Sequence, residues 1–205
     1  YISRILGTAN IGIFSLVDNF SQYFIMLAAL GIPIYGIREV SLTRVEKSKL
    51  SNVSSELITI HLSLTFLLLI VYYCFLLFNH KLEENKLYFI LGSFQFIVGV
   101  FSLEWFFQGL EDFKYISIRT FIVKLLSVIF IFLLVKTIND GLVYYLITTM
   151  TFILSAIINL FYLRREINFK LAKYKEIKRH FKPLLVFFST KFAISVYVTL
   201  TTILL

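Results

Sequence analysis

Residues 58–78 read ITIHLSLTFLLLIVYYCFLLF, a stretch with no acid, no Lys and no Arg. About 20 apolar residues cross the roughly 30 Å hydrocarbon layer of a bilayer as a helix, so this stretch predicts a transmembrane span. Working outward from it, apolar runs of similar length recur. Ile11 to Ile37 is interrupted only by Asp18, and Leu87 to Phe107 holds only Glu104. Phe121 to Val135, extended back to Ile116, holds Arg119 and Lys124, and Leu142 to Leu163 has no formal charge. A sixth run starts at Pro183, contains Lys191 and reaches the last residue. With 59% apolar residues, 23 Phe, 16% charged residues and a mean hydropathy of +0.85, the chain carries more apolar surface than a soluble core can hide. The predicted fold is all-α, a polytopic transmembrane helix bundle. Tyr1 to Gly7 reads as the outgoing end of a span whose body precedes it, so the chain is expected to be truncated at both ends.

The cations alternate across these spans. Arg38, Arg44, Lys47 and Lys49 share a side with Lys114 and Arg119, and with Arg164, Arg165, Lys170, Lys173, Lys175, Lys178, Arg179 and Lys182. The other side holds Arg4, Lys81, Lys86 and Lys136. The cation-rich side is therefore cytoplasmic by the positive-inside rule. The net charge of +8 does not point to nucleic acid, because these cations flank spans instead of forming a separate basic domain. Between Arg164 and Lys182, Ile167, Leu171, Tyr174, Ile177 and Phe181 recur every three or four residues. This spacing predicts an amphipathic cytoplasmic helix lying against anionic membrane lipids, with an ordinary basic loop as the alternative. Pro183 would then open the next helix.

Ionisable groups inside hydrocarbon cost about 2.5 to 3.5 kcal/mol each on insertion scales, so they face partner helices or wet cavities. Helical spacing groups Ser117, Thr120, Lys124 and Ser127; Lys191, Ser195 and Thr199; Thr148, Thr151, Ser155 and Asn159; and Asp18 with Gln22. These stripes predict either a hydrated interior or interhelical hydrogen bonding. Lys124 and Lys191, with Arg119, are candidates for attracting an anion such as a phosphate. The competing reading is internal pairing, Lys124 with Glu104 or Lys191 with Asp18. Glu104 and Asp18 are also candidate protonatable coupling sites. His61 reads as a helix-packing contact, Cys74 as a small packing residue, and Pro33 as a bend. No Ser/His/acid or Cys/His set, metal-ligand spacing or phosphate-cradling loop is present in the sequence. An enzymatic role and a cofactor are therefore not expected.

Arg4-Ile5-Leu6-Gly7, Gly12-Ile13-Phe14, Leu30-Gly31-Ile32 and Tyr35-Gly36-Ile37-Arg38-Glu39 resemble the opening of Wzx-type polysaccharide flippases. Glu104-Trp105-Phe106-Phe107-Gln108-Gly109-Leu110-Glu111-Asp112-Phe113-Lys114-Tyr115-Ile116, with Arg119, resembles that family's most distinctive stretch. The resemblance implies a MATE-like exporter of two six-helix lobes around an alternating central cavity. Residues 1–163 would supply the first lobe from the end of its first span, residues 164–182 the inter-lobe linker, and residues 183–205 the first helix of the second lobe. It further implies a place in the bacterial cytoplasmic membrane and the flipping of undecaprenyl-diphosphate-linked oligosaccharides for O-antigen, capsule or exopolysaccharide assembly. Polysaccharide polymerase and other assembly proteins would be partners. On that reading Arg4, Arg119, Lys124 and Lys191 are candidates for the diphosphate. Asp18, Gln22, Glu104, Ser127, Ser155, Asn159 and Ser195 would line the cavity or couple transport. Gly7, Gly31, Gly36, Arg38, Glu39, Trp105, Gln108, Gly109 and Glu111 are the motif positions. A multidrug or lipid II exporter of the same superfamily is the alternative, as is a membrane polysaccharide polymerase or glycosyltransferase.

Overall fold

The computed structural model describes residues 1–204, with the side chains of residues 80, 81, 191 and 194–204 outside the description. The described residues form eight α-helices: α1 (Ile2–Ala29), α2 (Ile32–Thr43), α3 (Lys47–Phe78), α4 (Lys86–Phe101), α5 (Glu104–Gly109), α6 (Phe113–Leu134), α7 (Gly141–Glu166) and α8 (Tyr174–Leu204). Five segments are long and apolar enough to cross a membrane: Ile2–Thr43, Lys47–Phe78, Leu82–Gly109, Phe113–Leu134 and Ile138–Glu166. The protein is a multi-pass membrane protein. These spans coincide with the five complete apolar runs of the sequence. The sixth run lies in α8, partly beyond the described side chains.

Two of the spans are discontinuous. Between α1 and α2, Leu30 and Gly31 both take left-handed backbone angles (φ 41° and 80°). A Cβ at Gly31 would also lie 2.8 Å from the Leu184 carbonyl oxygen and the Phe188 nitrogen of α8, so glycine is needed twice over. Pro33 falls in the first turn of α2, where its missing N–H costs no helical hydrogen bond. The predicted bend is thus a full break. The second span breaks between α4 and α5, where Leu103 adopts φ 49°. Gly7 adds a kink within α1 (φ 74°).

The two half-helices at the cation-rich end, α2 and α5, pack against each other. Gly36 has the Trp105 ring where a Cβ would sit, at 2.5 Å, and Gly109 likewise abuts Val40 at 2.6 Å. Small residues at such crossings let helices close without a hydrophobic drive from lipid. The interior divides into two stacked cores. One, on the cytoplasmic side by the cation rule, gathers Tyr35, Val40, Leu57, Trp105, Phe106, Phe107, Leu163 and Leu184. The other gathers Leu6, Phe14, Val17, Tyr72, Phe89, Phe96 and Tyr145.

The amphipathic helix expected over residues 164–182 does not form. Helix α7 ends at Glu166, residues 167–173 are not helical, and α8 starts at Tyr174, which leaves Pro183 inside α8 and not at its start. Three hydroxyls on one stripe of α3 hold the non-helical backbone: Asn168 N–H donates to Ser51, Lys170 N–H to Ser55 and Ala172 N–H to Thr59, each at 3.2 Å. The repeats match, since two extended residues rise about 6.6 Å and four helical residues about 6 Å. Ile167 is buried, whereas Leu171 and Tyr174 are exposed. No single apolar stripe survives.

Candidate functional site

Non-helical backbone at membrane depth is tolerated where protein or a wet cavity satisfies it, so the two breaks locate the region of interest. A cavity of about 440 Å³ lies there, lined by Asn19, Gln22, Tyr23, Met26, Ala29, Pro33, His61, Gly99, Ser102 and Trp105 among others. Its walls come from both sides of both breaks and from α3. No Lys, Arg, Asp or Glu lines it. His61 is buried, and it makes no hydrogen bond to any described residue. It belongs to this cavity wall, where the sequence suggested only a packing contact.

Beside the cavity, Asn159 of α7 ties the second break together. Its amide donates to the Phe101 carbonyl (3.2 Å) and to the Ser102 carbonyl, two acceptors freed where α4 stops. Its oxygen accepts from the Tyr115 hydroxyl at 3.0 Å and from the Arg119 guanidinium. Arg119 also reaches Glu104 at 3.5 Å and the Thr120 hydroxyl at 3.3 Å. The Arg119 side chain is only 5% exposed and the Glu104 side chain 58%. Three sequence candidates, Glu104, Arg119 and Asn159, therefore form one node, and the cation is its buried centre. Glu104 pairs with Arg119 and not with Lys124.

Toward the other core, Asp18 is held by the Tyr145 hydroxyl at 2.8 Å and by the Gln95 amide at 3.1 Å. These groups line a second cavity of about 470 Å³ with Ser15 and Thr148. Asp18 and Gln22, one turn apart, thus serve different cavities. Both belong to an exposed face of α1 that continues through Thr8, Gly12, Ser15 and Asn19. Asn19, Gln95 and Tyr145 were missed by reading charges and their nearest neighbours. The spacing of Thr8, Ser15, Asn19 and Gln22 was the available signal.

At the cation-rich end, buried Glu56 of α3 accepts from Arg179 at 2.6 and 3.0 Å and pairs with His180 at 2.5 Å. His180 Nδ1 is bonded to the Tyr35 hydroxyl at 2.8 Å. One neutral tautomer satisfies both contacts, with Nε2–H donating to Glu56 and Nδ1 accepting from Tyr35. The start of α8 is thereby tied to α2 and α3, beside a cavity of about 490 Å³ that also meets Glu39 and Lys49. Arg44, after α2, pairs with Glu111, after α5, at 2.7 Å. Its hydrogen bond and charge hold the Glu111 carboxyl below the usual carboxylate range.

The other candidates are dispersed. Arg4 is exposed on α1, and Lys124 is exposed on α6 in a shallow groove with Ser117 and Thr120. Ser127 joins Thr151 in an apolar groove between α6 and α7, and Ser155 is half-buried. Thr148 and Thr151 donate to carbonyls of their own helix (2.8 and 2.7 Å), so α7 offers less free hydroxyl than its stripe suggested. Arg38 and Glu39 are 3.8 Å apart, and Gln108 is half-buried. The side chains of Lys191 and Ser195 lie outside the described residues.

Over residues 1–205 the chain matches the family described as "Polysaccharide biosynthesis protein". It is 34% identical over 129 residues to a protein of Shigella dysenteriae named "Putative O-antigen transporter". That match covers 60% of this chain and 32% of the relative, so the chain spans well under two thirds of the relative's length. No solved structure matches.

Proposed function

Because the chain belongs to the polysaccharide biosynthesis protein family, we propose that it forms most of the first lobe of a flippase in the bacterial cytoplasmic membrane. The proposed cargo is a polyprenyl-diphosphate-linked oligosaccharide, carried from the cytoplasmic to the outer leaflet for O-antigen, capsule or exopolysaccharide assembly. The role is transport and not catalysis. The observation that carries this reading is the polar face of α1. Gln22, Asn19, Asp18, Ser15 and Thr8 are exposed along a helix that spans the membrane, and hydrocarbon does not accept such a face. It fits the wall of a hydrated path.

A diphosphate and its sugars cannot shed water into lipid unaided, so the path substitutes protein hydrogen bonds for their hydration while the polyprenyl tail stays in the bilayer. Arg4, Lys124 and Lys191 are the cations proposed for the diphosphate. Arg119 is already engaged by Asn159, Glu104 and Thr120, so its role is to hold the break in shape. The test is complementation of a strain lacking its own O-antigen flippase with the complete protein. Restored surface glycan is the expected result. An inserted, stable protein that restores none would overturn the proposal.

A further inference from the structure

We propose that the cavity at the two helix breaks is a binding subsite for one uncharged sugar of the cargo, separate from the place where the diphosphate is held. This assignment rests on the glycan-transport reading and adds a location and a chemistry to it.

Three observations point the same way. First, the lining groups are those that recognise hydroxylated rings: two amides (Asn19 and Gln22), an imidazole (His61), a hydroxyl (Ser102) and aromatic rings (Tyr23 and Trp105), with no formal charge among them. Amides both donate and accept, as sugar hydroxyls do, and pockets for small molecules combine apolar walls with a few convergent polar groups. Second, two residues of this wall carry a polar group with no hydrogen-bond partner among the described residues. The Trp105 indole N–H is buried without an acceptor, and His61, 6% exposed, has no hydrogen bond. The unpaired indole N–H is fully enclosed, so Trp105 offers the wall its ring, and the His61 imidazole is the group left to meet a bound hydroxyl. Third, the neighbouring cavity at the cation-rich end is of the opposite character. Glu39, Lys49, Glu56 and Arg179 line it, whereas the charged pair at the second break, Glu104 and Arg119, is not part of the first cavity's lining.

Gly99 gives a clean way to test this. A Cβ there meets only Ile25, at an ordinary 3.6 Å, so Gly99→Val pushes two methyls toward the cavity without removing a polar group. Asn19→Leu removes one amide from an exposed position while keeping the same branched arrangement of heavy atoms. The complete protein, purified in lipid nanodiscs, would be titrated with glucose, galactose, N-acetylglucosamine and rhamnose. The readout is the fluorescence that Trp105→Phe removes, followed in parallel with surface glycan in the complementation strain. At least one sugar is expected to bind saturably, and both variants should weaken it by about tenfold or more and reduce export while membrane levels stay at wild type. If the wild type exports glycan and both variants export equally well, the subsite is wrong and the flippase reading stands. Sugar binding without any export by the wild type would instead remove the flippase reading. Displacement of the sugar signal by inorganic pyrophosphate would overturn the uncharged class.

Discussion

Helices α1 and α6 both cross the membrane, and each has an uncovered face whose chemistry is opposite to the other's. On α6, Ile118, Ile122, Leu125, Ile129 and Leu133 are exposed at steps of three and four. On α1, the exposed positions include Thr8, Ser15, Asp18, Asn19 and Gln22. Exposure alone therefore does not say what a helix faces. The α6 face suits lipid tails, and the α1 face suits a wet path. Helices α4 and α7 pack between them and keep one solvent from the other.

The strongest way to break this contrast is to put the same charge on each face. Ile129→Lys on α6 places an ammonium in hydrocarbon at a cost of about 2.5 to 3.5 kcal/mol. Asn19→Lys places it where water is expected. Membrane levels and alkali-resistant insertion should fall sharply for Ile129→Lys and stay near wild type for Asn19→Lys, whose loss should appear in glycan export. Equal insertion of both variants would show that the two faces meet the same medium.

The wall between the faces depends on Asn159. Asn159→Ala leaves the Phe101 and Ser102 carbonyls and one Arg119 donor without their partner, a loss of about 2 to 3 kcal/mol. Thermal unfolding in detergent should show it as a clear drop in Tm. Arg119→Lys cannot reproduce the planar fork and should lower Tm in the same direction by less. A somewhat smaller effect is expected at the crossing of α2 and α5. Gly36→Val meets Trp105 and should cost about 1 to 3 kcal/mol through overpacking, with Trp105→Leu partly rescuing it in the double variant.

Much of this was legible in the sequence, and the failures have physical causes. Span length is set by bilayer thickness, so the uncharged stretch 58–78 announced itself. The motif glycines Gly36 and Gly109 and the Trp105 position were legible as pattern, but that Gly36 receives Trp105 depends on two half-helices distant in sequence. The breaks were harder. Leu30 and Leu103 hold left-handed angles that leucine does not favour, and only tertiary packing sustains them. Charge was an incomplete guide in two places. Arg119 stood out by its charge, while its uncharged partner Asn159 could not be paired with it from the sequence, and residues 164–182 read as a helix because a periodic stripe cannot reveal the hydroxyl ladder of Ser51, Ser55 and Thr59. The α1 face was under-read for the converse reason: uncharged polar residues attract less notice than one Asp.

The smallest predicted effect concerns a third kind of exposure, to bulk water. Arg44 and Glu111 join the ends of α2 and α5 across 2.7 Å, but both lie in the open, where ion pairs add little and salt screens them. The Glu111 carboxyl is held below its ordinary value, first by the hydrogen bond from Arg44 and then by its charge. A carboxyl depressed in the folded state stabilises above its unfolded value, near 4.3, and loses that contribution as pH falls through the lowered folded value. Glu111→Gln should therefore leave Tm almost unchanged when compared at high salt. At low salt and neutral pH it should lower Tm slightly, and the gap should close as pH falls below the ordinary carboxylate value and through the lowered one. Parallel curves for Glu111→Gln and wild type over that range would mean that α2 and α5 are joined by the Gly36–Trp105 and Gly109–Val40 contacts alone. The membrane-facing, cavity-facing and water-facing surfaces would then differ in what they forbid more than in what they contribute.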